Sequence, residues 1–463
     1  MVALTIKSTA IDGLLMIGLD VRADNRGWFK ENWQRSKMVA LGLPDFAPVQ
    51  NNVSFNTSAG ATRGIHAEPW DKLASVVHGR VFGAWVDLRP GDGFGRVVTA
   101  ELGPDTAVFV PRGVGNAFQT LEDDTVYSYL VNDHWSLAAK ESYTFCNLAD
   151  ETLAIAWPIP LERAELSEAD RRHPRLTAVT PMQPPRRLVL GAGGQLGRAL
   201  LAAWPDATGL TRADLDVADA AAVAAFDFSG YGVIVNAAAY TAVDAAETAA
   251  GRRDAWATNV TAVGALAHAA REHRTTLVHV SSDYVFDGTV EVHDEDEPFS
   301  PLGVYGQTKA AGDALVATVP RHYLLRTSWV IGEGKNFVAT MASLADRGIA
   351  PSVVSDQFGR LTFTDEIVAA IDHLLAVDAA YGTYNVSNGG PVTSWAEVAR
   401  AVYAGRGHDP SAVTEVTAEA YGRGKDLAPR PRHSALDLTK ITATGFEARP
   451  AADRLAAYLR ALS

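Results

Sequence analysis

Arg187-Leu-Val-Leu-Gly-Ala-Gly-Gly-Gln-Leu-Gly197 is the stretch that decides the architecture of this chain. Its apolar run, Leu188 to Leu190, is too short for a helix. It breaks into glycines at 191, 194 and 197 and leads directly into a helical stretch from Arg198, which reads as buried strand, tight turn and helix. Glycines there let the backbone turn sharply and approach a pyrophosphate, whose charge the helix N-terminus favours. The same grammar continues downstream, where Gly232-Val-Ile-Val-Asn236 and Thr276-Leu-Val-His-Val-Ser281 alternate with alanine-rich helical stretches. A doubly wound parallel α/β sheet of the Rossmann kind, with a small substrate-binding lobe, is expected over 187–463.

Upstream the text changes. Short alternating runs such as Leu73-Ala-Ser-Val-Val-His-Gly79 and Val81 to Leu88 are punctuated by Gly, Pro, Asn and Asp, the pattern of an all-β sandwich or barrel. Between Arg171 and Arg187 the sequence is basic and carries Pro174, Pro181, Pro184 and Pro185, which favours extended backbone. The expected division is therefore a β domain over 1–172, a linker over 173–186 and the α/β domain over 187–463.

At 463 residues, with 47% apolar and 21% charged residues, the chain has the balance of a globular protein with more than one core. A net charge of -13 argues against a nucleic-acid partner. Charge interrupts the apolar stretches before the roughly 18 residues that a spanning helix needs, and the start, with Lys7 and Asp12, lacks a leader pattern. No membrane partner and a cytoplasmic location are expected. Cys146 is the single cysteine, so no internal disulfide can form and a buried apolar role is expected for it.

In the second half, Tyr305 and Lys309 stand four apart at the start of a helical stretch, and Ser281 and Ser282 end a strand before them. Reducing a carbonyl needs a hydride donor and a proton donor, and a phenol supplies the proton when a nearby ammonium favours its phenolate. Either feature alone is commonplace, since Tyr-x-x-x-Lys also arises as a packed surface pair. Together with Asn236-Ala-Ala-Ala-Tyr-Thr-Ala-Val-Asp-Ala-Ala-Glu247, Ser281-Ser-Asp-Tyr-Val-Phe-Asp-Gly288, Arg326-Thr-Ser-Trp329, Asn336-Phe337, Asp356-Gln-Phe-Gly359 and Arg430-Pro-Arg-His-Ser-Ala-Leu-Asp437, the region resembles the dTDP-4-dehydrorhamnose reductases, extended members of the short-chain dehydrogenase superfamily.

That resemblance makes Tyr305 the proton donor, Lys309 the residue that tunes it and orients the nicotinamide ribose, and Ser282 the group that polarises the ketone. Asp283, Tyr284 and Trp329 would border the sugar. The cofactor would contact Gly191, Gly194, Gln195, Leu196 and Gly197, then Asp216 and Val217, then Ala237, Ala238 and Ala239, as well as Tyr305 and Lys309. NADPH is the expected cofactor, with NADH possible. The acidic residue after the glycines is Asp214 or Asp216, whereas Arg212 would meet a 2′-phosphate or be merely solvated. Leu361 stands where the family usually shows proline.

The first half offers Arg63-Gly-Ile-His66, then Lys72 opening a strand, then Tyr127 and Tyr129 on one strand face. In a 4-keto sugar the C3 and C5 hydrogens are alpha to a carbonyl, so a base, an acid and an oxyanion stabiliser suffice to invert those carbons. A lone histidine or a strand tyrosine is ordinary, and order and spacing carry the reading. With Asp24-Asn-Arg-Gly-Trp-Phe-Lys-Glu31, Gln50-Asn-Asn52, Val86-Asp-Leu-Arg89, Val110-Pro-Arg-Gly113 and Leu166-Ser-Glu-Ala-Asp170, the segment from about 3 to 175 resembles the dTDP-4-dehydrorhamnose 3,5-epimerases, metal-free cupin-type jelly-roll barrels.

By that resemblance His66 is the base, Asp170 the carboxylate that orients it, Tyr129 the acid on the opposite ring face and Lys72 the holder of the enolate oxygen. Arg26, Phe29, Glu31, Gln50, Asn52 and Arg63 would bind the nucleotide of a dTDP-sugar. Asn116, within Gly115-Asn-Ala-Phe118, replaces a site-lining histidine, Gly83 replaces an aspartate, and His134-Trp135 replace a pair of tyrosines. A homodimer built by strand exchange is implied.

The resulting expectation is a bifunctional enzyme: 3,5-epimerisation of dTDP-4-dehydro-6-deoxy-D-glucose, then NAD(P)H-dependent reduction at C4 to dTDP-L-rhamnose. Two alternatives keep the reductase fold, one with a single-carbon or inactive first domain, the other as a non-catalytic nucleotide-binding regulatory subunit. A metal-dependent barrel beginning with His66 and Glu68 lacks further ligands in the sequence, and no metal is expected.

Overall fold

The computed structural model describes residues 4–137 and 139–462, which form two compact units, Met1–Pro184 and Pro185–Ser463. In the first unit a six-stranded sheet runs in the order Thr5–Ser8, Leu15–Gly18, Thr106–Val110, Lys72–His78, Thr125–Val131, Gln50–Asn56. A five-stranded sheet runs Thr144–Phe145, Thr62–Ala67, Val114–Thr120, Val81–Asp87, Val97–Leu102. Pairing is antiparallel throughout both.

From Lys72 to Val131 the chain passes from one sheet to the other repeatedly, so the inward residues of both meet in a common core. Val76, Val108 and Tyr127 come from the first sheet, and Trp85, Val114 and Phe118 from the second. A separate hairpin, Val21–Asp24 with Gly27–Lys30, pairs with neither sheet. Lys30 pins it: Nζ donates to the carbonyls of Val76 (2.7 Å) and Pro104 (2.8 Å), and burial pulls its pKa down to about 8.

The basic, proline-rich stretch expected as a linker is largely packed. Leu176 and Met182 are buried with Ile65, Val86 and Cys146, and Met182 N donates to Leu88 O. Two apolar residues among the prolines are enough to fasten it to the β-unit. Cys146 is a free, buried thiol, raised by its burial to about 11.

The second unit is built on a six-stranded, all-parallel sheet in the order Thr208–Leu210, Arg186–Leu190, Tyr231–Asn236, Thr276–Ser282, His322–Thr327, Gly382–Asn385. Alternation along the strands divides them between two cores. Leu188, Ile234, Leu277 and Leu324 pack under the helix Ala262–Glu272, while Val189, Val235, Val278 and Leu325 pack under Gln195–Ala203 and Thr364–Ala376. Strands buried on both faces read as continuous apolar runs, as Leu188 to Leu190 does.

The strand Arg186–Leu190 has its sequence successor on one side and the third strand on the other. Order therefore reverses there, and a crevice opens at the carboxyl ends of the two strands. A third core, with Val338, Met341, Leu361, Val398 and Val402, holds a lobe of short two-stranded pairings and the helices Phe337–Asp346, Trp395–Gly405 and Ala451–Ala461. Leu361 packs inside that lobe, with Trp329 at its border. Among the described residues no helix is long and apolar enough to cross a membrane.

Candidate active sites

In the β-unit, His66 lies on Thr62–Ala67, directly across from Asn116 and Phe145. Its Nε2 meets Oδ1 of Asp170 at 2.8 Å. Asp170 is presented by a short helix, Glu168–Arg171, whose cap Ser167 accepts from the Asp170 N–H at 3.0 Å. Burial of the Asp170 carboxyl opposes ionisation, but hydrogen bonds from His173 and His66, and the charge His66 can carry, hold its pKa well below the ordinary carboxylate range. With Nε2 donating to Asp170, the lone pair of His66 is left on Nδ1, the tautomer a proton-abstracting imidazole needs.

Lys72 and Tyr129 come from neighbouring strands of the six-stranded sheet. The Lys72 ammonium, 6% exposed, sits 4.6 Å from the Tyr129 ring centre and is bound at 2.9 Å by Glu68, which also accepts from Trp70 Nε1 at 2.7 Å. Glu68, weighed in the sequence as a metal ligand, is thus the counter-ion of Lys72. A buried ammonium needs such a partner to remain charged. Tyr127, on the same strand face as Tyr129, is fully buried, stacked on Phe118 at 4.2 Å, and donates to Asn116 Oδ1 at 3.3 Å. Burial lifts its phenol far above the ordinary range, so Tyr129, half-buried beside Lys72, is the more accessible of the two acids.

Two unusual residues of this half prove to be one arrangement. Asn116 Oδ1 also accepts from Trp85 Nε1 at 2.9 Å, and a Cβ on Gly83 would lie 2.4 Å from Cη2 of Trp85. Glycine at 83 therefore gives room to an indole that in turn holds the asparagine. The six nucleotide-binding candidates are dispersed. Gln50 and Asn52 are bonded to each other on the edge strand (2.8 Å), and Arg63 donates to Asn56 Oδ1 at 3.1 Å. Arg26 and Phe29, the latter 68% exposed, lie on the pinned hairpin. Phe29 and Glu31 line a small pocket of about 190 Å³ that contains none of His66, Lys72, Tyr129 or Asp170.

Sequence reading missed His173, whose Nε2 meets the same Asp170 oxygen at 3.1 Å. His66, Asp170 and His173 are, among the described residues, the one group that could hold a cation, with donor atoms within 4.8 Å of one another. Nothing local in the sequence marks 173, which follows the Leu166–Asp170 motif by one short turn.

In the α/β unit the crevice forms two adjoining clefts that share Gly193, Gly194, Ala237 and Ala239. One, of about 490 Å³, is lined by Gly191, Arg212, Asp216, Val217 and Ala238. The other, of about 840 Å³, is lined by Gln195, Leu196, Ser282, Asp283, Tyr284, Tyr305, Lys309 and Trp329. Gly191 has φ +80°, and a Cβ there would lie 2.7 Å from Ala238 N, so only glycine lets the turn approach the third strand so closely. Gly197 lines neither cleft, and its bare Cα lets the helix seat 2.2 Å, by the same measure, from Gly191 O.

Asp214, exposed, accepts from Thr211 N (2.8 Å) and Oγ1 (2.6 Å) within the turn, and it is Asp216 that lines the cleft, paired with Arg212 Nε at 3.1 Å. The first cleft thus carries a glycine cradle, a helix N-terminus and an exposed guanidinium, a donor set that fits a dinucleotide with a phosphorylated ribose.

Tyr305 and Lys309 lie one turn apart on Val304–Val316, whose first N–H is accepted by Glu247 Oε1 at 2.8 Å. Lys309 Nζ donates to Val280 O at 2.8 Å and faces His279 Nε2 at 3.3 Å. Burial lowers it to about 8 against the pull of Asp313. Burial raises the Tyr305 phenol well above its ordinary value against the pull of the Ser282 hydroxyl. Asp283, fully enclosed, is raised to about 6 by burial, partly offset by the Ser434 and Ser282 hydroxyls. Tyr284 meets Tyr305 edge-on at 5.5 Å.

Two of the long motifs have structural work of their own. Asp244 clasps Arg430 through both oxygens, at 2.8 and 2.9 Å, and accepts from Ala428 N, which fastens the 428–430 loop to the sheet's crevice side.

Residues 186–463 match the family model of the RmlD substrate binding domain, and residues 8–178 match that of dTDP-4-dehydrorhamnose 3,5-epimerase. A protein of Streptococcus pyogenes serotype M6 named "Protein RmlC homolog" is 51% identical over 179 residues, which cover 38% of this chain and 90% of that one. The dTDP-4-dehydrorhamnose reductase of Aggregatibacter actinomycetemcomitans is 38% identical over 275 residues, 55% of this chain and 92% of that one. A crystal structure of dTDP-4-dehydrorhamnose reductase from Bacillus anthracis str. Ames in complex with NADP aligns with TM-score 0.56 and 30% identity, covering 60% of this chain and 100% of that one.

Proposed function

Because the chain belongs to the RmlD substrate-binding-domain family through residues 186–463 and to the dTDP-4-dehydrorhamnose 3,5-epimerase family through residues 8–178, we propose that one polypeptide carries out the last two steps of dTDP-L-rhamnose synthesis. Its substrate is dTDP-4-dehydro-6-deoxy-D-glucose and its reductant NADPH. The β-unit is a cupin-type barrel, the α/β unit a Rossmann domain, and the cytoplasm, where dTDP-sugars are made, is the location.

In the first step Nδ1 of His66, held by Asp170, removes the hydrogen alpha to the C4 ketone. The electron pair moves onto the ketone oxygen, where the Lys72 ammonium stabilises the enolate. Tyr129 returns a proton to the opposite face, inverting the carbon. The sequence runs once at C5 and once at C3. The hairpin 21–30 pairs with neither sheet and exposes Phe29, and the edge strand Gln50–Asn56 exposes Val53 (63%) and Phe55 (56%), apolar surface that supports a homodimer in which a second copy covers it.

In the second step the turn at Gly191, Gly193 and Gly194 and the guanidinium of Arg212 would hold NADPH, which would supply the hydride for C4 of the sugar. Ser282 donates to the ketone oxygen, Tyr305 delivers the proton to it, and Lys309 stabilises the phenolate that remains. The placement of Ser282, Tyr305 and Lys309 in one cleft with Gly193 and Gly194 is the observation that carries this reading. Incubating the intact chain with the 4-keto sugar nucleotide and NADPH in deuterated buffer tests both halves: NADPH consumption with deuterium at C3 and C5 of the product is expected, and absence of oxidation rejects it.

A further inference from the structure

His173 follows the helix that presents Asp170, and its ring is packed against two others while its main chain is anchored. It stacks on Phe145 at 4.5 Å and 13°, it meets His66 edge-on at 5.5 Å, and its own carbonyl accepts from Asn147 Nδ2 at 2.8 Å. Phe145 also packs edge-on to His66 at 5.4 Å, so one aromatic ring braces both imidazoles. The His173 side chain is 13% exposed and directs Nε2 at Asp170 Oδ1, the oxygen that His66 already uses. A phenylalanine would stack on Phe145 equally well. What an imidazole adds at this place is a second N–H to the carboxylate.

We propose that His173 is a positioning residue of the epimerisation site. It locks the Asp170 carboxylate in the rotamer that orients His66, so that the His66 ring is held in one orientation with its Nε2 on that oxygen. This rests on the reading of the β-unit as an epimerase. The physical argument is one of geometry. A carboxylate bonded to a single imidazole can swing about its side-chain torsion, whereas one oxygen bonded to two rings that come from different elements is held in a single place. The ionisable groups that face His173 are Asp170, from the adjoining helix, and His66, from Thr62–Ala67, with Tyr143 one ring farther, 5.7 Å from Phe145.

The test uses the full chain with chelator present and follows solvent deuterium exchange into C3 and C5. His173→Phe, which keeps the stack and loses the donor, should lower kcat by about tenfold with KM unchanged, the signature of lost orientation. His173→Gln, which keeps a donor, should stay close to the wild type. In the wild-type chain, imidazole proton NMR should show two low-field N–H signals, from His66 and His173, both lost in Asp170→Ala. A kcat that does not fall in His173→Phe, or falls equally in His173→Gln, overturns the proposal, as does a single low-field signal or loss of exchange on chelation. No exchange in the wild type rejects the epimerase reading itself, while the NMR signals still decide whether His173 holds Asp170.

Discussion

The two candidate sites hold their buried lysines in different ways. At the site of the β-unit Lys72 faces a carboxylate, with Glu68 2.9 Å away and both at most 10% exposed, and Asp170 has two imidazoles on one oxygen. In the α/β unit Lys309 hydrogen-bonds a carbonyl and an imidazole instead of a carboxylate, and burial moves it to about 8 and Asp283 to about 6. The difference follows the chemistry. Enolisation leaves an anion in the pocket and needs a permanent cation, whose own counter-ion must be built in. Ketone reduction adds hydride and proton together and creates no lasting charge, so it is served by groups whose ionisation can shift.

The sharpest way to break this comparison is to disable one site and watch the other. Tyr305→Phe should lower NADPH oxidation by about a thousandfold and leave deuterium exchange at C3 and C5 intact, whereas His66→Ala should remove exchange by a similar factor and spare reduction of a pre-epimerised substrate. A parallel loss of both activities in either variant would dissolve the division of labour. Next in size, Arg212→Ala should raise KM for NADPH by about tenfold and leave KM for NADH nearly unchanged, since a charge-assisted contact to a 2′-phosphate is worth about 1.5–3 kcal/mol. Equal effects on both cofactors would place Arg212 in solvent only.

Smaller effects concern stability. Gly83→Ala must displace the Trp85 indole and should cost about 1–3 kcal/mol in denaturant unfolding of the β-unit. For the α/β unit, the folded-state pKa of Asp283, about 6, lies above its ordinary 3.8, so the wild type loses stability as pH rises through that interval. The amide of Asp283→Asn does not ionise. The variant should therefore melt a few degrees above the wild type at neutral pH and match it below about pH 4. A melting difference that is independent of pH would show that the carboxyl is already neutral or well solvated.

What was legible in the sequence was what is local. Gly191 to Gly197 declares a strand, a turn and a helix within eleven residues of Arg187, and the period-two sorting of Leu188, Val189 and Leu190 follows from burial on both faces. The His66–Asp170 contact spans 104 residues, and only the resemblance to a family joined them. His173 stayed hidden because a histidine after a helix has no local signature. Glu68 was considered as a ligand and set aside for want of partners, but its true role stayed hidden because nothing in the sequence says that it meets the Lys72 ammonium. The packed state of 174–182 escaped notice for a similar reason: composition weighs the prolines and cannot weigh where Leu176 and Met182 find partners.

The Gly83–Trp85–Asn116 arrangement has a bearing on how such a site can change over generations. An aspartate cannot enter position 83 while the indole occupies its space, and removing the indole first opens a void and strips the asparagine of the shorter of its two hydrogen bonds. A change at 83 or at 85 alone is therefore uphill, and the two positions are tied to change together.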